Sequence, residues 1–348
     1  MSEEARVIQA IDKASVAKIC SGQVILDLAT AVKELVENAL DAGASSVEVR
    51  LKEHGLQLIE VADNGRGIAP HDYEALALKY HTSKLAQFND LERLHTFGFR
   101  GEALSSLAAL GELSVVTRTA EQAAATRLEF DRNGKLTSSA ACARGVGTTV
   151  AIKDLFGPLP VRRQELTRNV RREVAKLRLL LQQYAVLAGQ AQLFASDQAG
   201  RAARLTLVST SNAGGELRAR VSAVLGAKVA AVLQPIDFEL AAEGVKVTGL
   251  VSRAGCGVKG EKLRQFCCIN GRPVELPRAV KALNDTYKAL YSSLVGLKPM
   301  AFLCFELPPG TFDVNVTPDK RSVFIQKEVA IMNALGQSRG CKPGQSSL

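Results

Sequence analysis

The chain has 348 residues, 47% hydrophobic and 23% charged, enough for about two packed domains and too apolar for an intrinsically disordered protein. Seven cysteines without a Cys-x-x-Cys pair exclude a disulfide framework and a structural zinc site, and point to a reducing compartment. The formal charge of +9, from 44 basic and 35 acidic residues, favours an anionic partner.

In chain order, MSEEARVIQAID has neither the basic start nor the apolar run of a secretory signal. Helices are predicted through Cys20 and over 28–41, the second ending at the glycine stop Gly43. Strands follow at SVEVRLK and LQLIEVADN, joined by Glu53-His54-Gly55. PHDYEALALKYHTSK reads as helix until about Tyr80, then loop. TFGFRGEALSSLAAL reads as a glycine-punctuated loop opening into a helix. Strands are predicted at ELSVVTRT, TRLEFD and GTTVAIKDLF, with an Asn133-Gly134 turn after the second. One long basic helix is expected from about Gln164 to Ala188, then a buried strand, with RLTLVST closing the first unit. Residues 179–196 are uncharged, but Gln182, Gln183, Gln190 and Gln192 argue against a membrane span.

After Asn212-Ala213-Gly214-Gly215 a second alternation begins: helix ELRARVSAVLG, strands VKVTGLVSR and RQFCCIN, helix RAVKALNDTYKALYSSL and strand MAFLCFEL. The pattern predicts an α+β protein of two units, 1–210 and 211–335. Residues 336–348 have linker composition and are expected to begin a tether in a longer chain. GCGVKG fits the spacing of a dinucleotide motif, but a strand follows where a helix is required, and Glu261 stands where a P-loop needs lysine. The four histidines show no metal spacing.

Chemistry concentrates in a few stretches. In KELVENALDAGA (33–44) the residues Val32, Leu35, Val36, Ala39 and Leu40 share one helix side, with Glu34 and Asn38 one turn apart at its border. That pair is compatible with a solvated face or with two side chains aimed into a pocket. DNGRGI ends an apolar strand with Asp63, and Gly65 and Gly67 permit close backbone approach. In FGFRGEAL, glycines beside a helix start form an anion cradle. GTTVAI places Thr148 at a strand start. Between Val161 and Arg178, the basic residues Arg162, Arg163, Arg168, Arg171, Arg172, Lys176 and Arg178 face only Glu165 and Glu173. A cluster of that kind suits phosphate backbones or a solvated helix face; without interleaved aromatics it offers no base stacking.

The order KELVENALDAGA, DNGRGI, HTSK, FGFRGEAL, GTTV resembles the GHKL ATPases, the class of gyrase, Hsp90 and histidine kinases. FGFRGEALSSL and DVNVTPDKR narrow the resemblance to MutL-type mismatch-repair proteins, and TPDKR is similar to the eukaryotic PMS-type subunit. The resemblance implies a GHKL (Bergerat) ATPase α/β sandwich followed by a ribosomal protein S5 domain 2-like unit, with ATP and Mg2+ as ligands. It makes Glu34 the general base, Asn38 the Mg2+ ligand, Asp63 the adenine acceptor supported by Thr148, and Lys320 a γ-phosphate contact from the second unit. Gly98, Arg100, Gly101, Glu102, Ala103 and Leu104 match the phosphate lid; Thr82, Ser83 and Lys84 match a second lid contact. It further implies DNA contacts, with Arg272 and Arg278 joining the basic cluster, a second MutL homologue and MutS-type proteins as partners, and a nuclear location. No metal-binding endonuclease motif is found in these residues, so nicking of DNA is not expected of them. Two alternatives remain: another GHKL enzyme, or a DNA-binding scaffold whose ATP site only stabilises the fold.

Overall fold

The computed structural model describes residues 12–84, 96–189, 191–201, 203–210, 215–291, 296–314, 316–317 and 320–337. Helix α1 (Lys13–Val24) starts at Asp12, whose carboxylate accepts the Ser15 N–H. Helix α2 (Leu28–Asp41) is capped the same way by Asp27 on Thr30 N. It ends in a left-handed stop: Gly43 has φ 74°, with Gly43 N donating to Leu40 O and Ala44 N to Ala39 O.

Eight strands form the first sheet: β1 (Ser46–Lys52), β2 (Leu58–Asp63), β3 (Glu112–Arg118), β4 (Ala125–Phe130), β5 (Leu136–Cys142), β6 (Gly147–Lys153), β7 (Gln192–Gln198) and β8 (Leu205–Ser209). Their order is β5-β4-β3-β6-β2-β1-β7-β8, and the β1–β7 pair is parallel while the other pairs are antiparallel. Alternation decides the buried face: Val47, Val49 and Leu51 of β1 point into one core with Leu113 and Val115 of β3. α2, α3 (Ala103–Leu110) and α5 (Val170–Leu187) contribute Val32, Leu107 and Leu181 to that core.

The second unit opens with α6 (Leu217–Leu225) and α7 (Ala227–Ala231). Its sheet comprises β9 (Leu233–Leu240), β10 (Val245–Ser252), β11 (Gln265–Ile269), β12 (Arg272–Val274) and β13 (Ala301–Glu306), in the order β12-β11-β13-β10-β9. Helices α8 (Pro277–Leu290) and α9 (Glu328–Gln337) pack on one face, contributing Leu283 and Leu335 to its core. A two-stranded ribbon, β14 (Phe312–Asp313) and β15 (Phe324–Ile325), brackets the loop carrying Lys320. The two sheets are joined apolarly, because Val186 and Leu187 at the end of α5 share a core with Leu250, Phe266 and Phe302.

Adjacent Cys267 and Cys268 alternate as expected of a strand, one in each of the second sheet's two cores. GCGVKG is loop and a short 3-10 turn, Gly260–Lys262, before β11.

Two helices differ from expectation. Residues 70–80 form a 3-10 turn (Pro70–Asp72) and irregular turns, because Tyr73 and Ala77 are pulled into the core and Tyr80 takes φ 64°. The basic helix is two helices, α4 (Pro160–Arg168) and α5, broken at Asn169 (φ −105°, ψ 17°), whose amide turns back onto the Glu165 carboxylate. β5, β9 and α9 were not foreseen; β5 is an edge strand with mostly exposed side chains, so it carries little hydrophobic period. Of the expected Asn212–Gly215 junction, residues 212–214 lie outside the described residues, as do residues 338–348 of the expected 336–348 tether; Gly336 and Gln337 are instead the last turn of α9.

Candidate active site

The polar edge of α2 is buried along with its apolar face. Lys33, Glu34 and Glu37 are 2%, 5% and 1% exposed, too little for a solvated face. Lys33 Nζ donates to Glu34 Oε1 at 3.1 Å and to Glu37 Oε2 at 2.9 Å. Lys320 enters from the second unit, 286 residues away, and donates to Glu34 Oε2 at 3.0 Å; its ammonium lies 3.9 Å from Glu37. Two carboxylates thus share two ammoniums in a nearly dry site, with the Phe99 ring 5.5 Å from the Lys320 ammonium. Burial alone would raise the Glu34 pKa, but Lys33 and Lys320 outweigh it and hold it at about 2. Burial likewise works against the Lys33 ammonium, yet Glu37 and Glu34 keep its pKa above the ordinary value. The Tyr184 hydroxyl donates to Glu37 Oε1 at 2.5 Å; burial and then Glu37 push its own pKa well up.

One turn on, Asn38 Oδ1 accepts from the Lys84 ammonium at 2.9 Å, and Asp41 Oδ2 accepts from the same ammonium at 2.6 Å. A positive charge therefore already sits against two hard oxygens, the donor type a small divalent cation favours. Asp41 also accepts the N–H groups of Phe97 (2.8 Å) and Gly98 (2.9 Å), pinning the start of the lid stretch to α2. Gly98 packs so close that an added Cβ would lie 2.8 Å from Lys84 Nζ. Gly101 has φ 62°, its own Cβ position falling 2.5 Å from His81 O. Glu102 then precedes α3, whose first turn, Ala103 and Leu104 included, has no side-chain cap. With no side-chain cap among the described residues, those N–H groups are oriented as donors for an anion. Arg100 lies over Phe99, while Thr82 and Ser83 are exposed beside Lys84.

At the far end, Asp63 closes β2. Its Oδ1 accepts from Gly65 N (2.8 Å) and Thr148 N (3.2 Å), leaving Oδ2 without a hydrogen bond among the described residues. Burial raises its pKa, partly offset by those two N–H groups and by Arg144. Gly65 and Gly67 do meet close backbone, but it is the protein's own: Cβ atoms there would lie 2.8 Å from Ala42 O and 2.2 Å from Arg118 O. The Thr148 hydroxyl bonds that of buried Thr117 at 3.1 Å.

The candidate DNA residues divide. Arg168, Arg171, Arg172 and Arg178 are exposed on α4 and α5. Arg162 donates to Gly22 O, Arg163 to Leu155 O and Leu56 O, and Lys176 pairs with Asp27, so these three tie the fold together. Arg278 is exposed but ion-paired to Glu328 at 2.6 Å. Arg272 departs furthest from expectation: it turns inward onto the lid stretch, donating to Thr96 O at 2.6 Å and Phe97 O at 3.1 Å. Lys33, Glu37, Asp41, Thr117 and Tyr184 were missed in the sequence. Only the 3.6-residue spacing of Lys33, Glu37 and Asp41 around Glu34 hinted at the first three.

Comparison with known proteins places these features. A model described as histidine kinase-, DNA gyrase B- and HSP90-like ATPase matches residues 26–141, and one described as the C-terminal domain of DNA mismatch repair protein matches 221–338. The chain is 45% identical over 331 residues to DNA mismatch repair protein PMS1 of Arabidopsis thaliana, covering 94% of this chain and 35% of that protein. The chain belongs to the MutL family of DNA mismatch-repair proteins. A crystal structure titled as the N-terminal domain of a DNA repair protein superposes with a TM-score of 0.83 at 37% identity, covering 93% of this chain and 96% of that one. The Aquifex aeolicus MutL ATPase domain complexed with ADP shares the fold at a TM-score of 0.59 and 23% identity, covering 91% and 98%. The α+β architecture is that of GHKL ATPases. This MutL-family chain spans 35% to 41% of the length of the curated relatives it matches.

Proposed function

We propose that this region binds ATP with Mg2+, hydrolyses it slowly, and couples nucleotide state to lid order and to engagement of DNA and partners. The observation that carries the reading is the Lys320–Glu34 contact, which joins two motifs 286 residues apart in one buried site.

In this reading Glu34 is the general base for the attacking water, a role that typically contributes about 10²–10⁴-fold. A carboxylate held near 2 stays ionised but is a weak base. When Lys320 leaves Glu34 for the γ-phosphate, Glu34 loses one of its two ammoniums and its basicity rises. Lys33 stays to hold the carboxylate in place. Asn38 Oδ1 would hold Mg2+ where the Lys84 ammonium now lies against it, and Lys84 would serve as a phosphate contact. The metal supplies charge neutralisation across the phosphates. Asp63 Oδ2 accepts the adenine amino group, with Thr148 beside it. Gly98, Arg100, Gly101 and the first turn of α3 wrap the phosphates, with Thr82 and Ser83 as a second contact.

DNA binds through phosphates at Arg168, Arg171, Arg172 and Arg178, without sequence preference. A second MutL homologue, MutS-type proteins and a nuclear location complete the proposal, with units 1–210 and 211–335. The deciding experiment measures Mg2+-dependent ATP binding and turnover for wild type, Glu34→Ala and Asn38→Ala. Slow wild-type turnover, binding without hydrolysis in Glu34→Ala, and lost Mg2+-dependent binding in Asn38→Ala support the reading. Equal behaviour of all three would leave a DNA-binding scaffold.

A further inference from the structure

The lid stretch is gripped from two sides. On one side the Asp41 carboxylate takes the N–H groups of Phe97 and Gly98. On the other the Arg272 guanidinium takes the carbonyls of Thr96 and Phe97 from the second unit. The guanidinium also lies 5.3 Å from the Phe97 ring centre, and that ring packs 6.2 Å from Tyr184, the residue bonded to Glu37. The direction of Arg272 is set locally. It is the first residue of β12, paired with Ile269 of β11 across the two-residue turn Asn270-Gly271, both at positive φ (47° and 80°). A turn of that type leaves little freedom in where the next side chain points. The remaining Nη1 of Arg272 is buried and has no hydrogen-bond partner among the described residues. A charge so placed is poorly disposed to meet a DNA phosphate.

We propose that Arg272 is a positioning residue for the phosphate lid. It holds the Thr96–Phe97 carbonyls in the geometry that presents Gly98 to Gly101 and the α3 N-terminus to the phosphates. It thereby gives the second unit a grip on the lid that is separate from the Lys320 contact with Glu34. This rests on the ATPase reading for its functional consequence, but not for its structural one. Both carbonyl bonds come from the one nitrogen Nη2, while the guanidinium lies against the Phe97 ring; a lysine ammonium, a compact and strongly hydrated point charge on a flexible stem, does not reproduce that combination of two donations and ring contact.

The test uses the whole chain as wild type, Arg272→Ala, Arg272→Lys and the milder Arg272→Gln, with Arg278→Ala as an exposed control from the same unit. Amide hydrogen exchange without nucleotide reads the structural claim. In Arg272→Ala, exchange at Phe97 and Gly98 rises at least ten-fold while both sheets keep wild-type protection; Arg278→Ala leaves the lid unchanged. Steady-state ATP turnover reads the functional claim. KM for ATP rises about ten-fold and kcat stays within about two-fold, because binding must now order the lid. Arg272→Lys does not restore either value. Should Arg272→Ala be too unstable to purify, Arg272→Gln shows the same pattern at smaller amplitude. Unchanged lid exchange in the Arg272 variants overturns the proposal, as does exchange that rises uniformly across both sheets. Weakened duplex-DNA binding with an intact lid overturns it too, returning Arg272 to a phosphate-contacting role. If wild type shows no turnover at all, the ATPase reading fails while the exchange result still decides the grip of Arg272 on the lid.

Discussion

Replacing Lys320 with methionine keeps most of the aliphatic stem against Phe99 and removes one charge from the buried quartet. In the wild type, Glu34 lies 3.0 Å from that charge, and its pKa stands at about 2 against an ordinary 4.5. Burial works against that depression, and Lys33 together with Lys320 produces it; by linkage, a pKa depressed in the folded state adds stability. The sign follows from the direction. Because the folded-state pKa is depressed, the contribution is complete above pH 4.5 and is lost as pH falls toward 2. In Lys320→Met, Glu34 and Glu37 share Lys33 alone, which leaves a buried negative charge uncompensated. Breaking a buried pair from one side costs about 3–5 kcal/mol, and protonation of a carboxylate recovers part of it. The expected result is a loss of about 2–4 kcal/mol at pH 7. The deficit narrows as pH falls, because Glu34, with one fewer ammonium beside it, takes up its proton at higher pH in the variant than in the wild type. Urea titrations at half-unit steps from pH 7 to 3 read both curves. Parallel profiles, offset by a constant amount, would refute the reasoning, since they would mean Lys320 contributes packing without setting the charge state of Glu34.

Three further outcomes follow from the same geometry. Tyr184→Phe deletes the buried hydroxyl bonded to Glu37 and should cost about 1–3 kcal/mol in urea denaturation. Gly101→Ala meets both a positive φ and the His81 carbonyl, so ATP turnover should fall at least about ten-fold while the melting temperature drops only modestly. Arg171→Ala with Arg172→Ala should weaken duplex-DNA binding equally for unrelated sequences. It should also reduce the slope of log affinity against log salt by about 2, with ATP turnover in the absence of DNA unchanged.

Local sequence determined a good deal here. Asp27, the 3.6-residue apolar period and Gly43 specify α2 with its start and stop, because caps and periodicity act within a few residues. The two-residue spacing of Val47, Val49 and Leu51 specifies β1 and its buried face. Order and wording of the motifs carried the family, and with it the expectation that Glu34, Asp63 and Lys320 act together. The tertiary structure decided what spacing does not encode. Glu37, Lys33 and Tyr184 read as one helix's polar edge and an unrelated aromatic until packing of α2 against α5 removes water from between them. Arg272 looked like one more surface cation. Its neighbours in sequence say nothing about the lid stretch 175 residues earlier, which only the docking of β12 brings within 3.1 Å. Residues 70–80 differ for the same reason, because the buried anchors Tyr73 and Ala77 outweigh helix propensity; the break at Asn169 is instead a local matter, an exposed side-chain bond to Glu165 four residues earlier. Charge type was legible in the chain; which charges are solvated and which are buried in pairs belongs to the fold, because desolvation depends on neighbours that sequence distance does not rank.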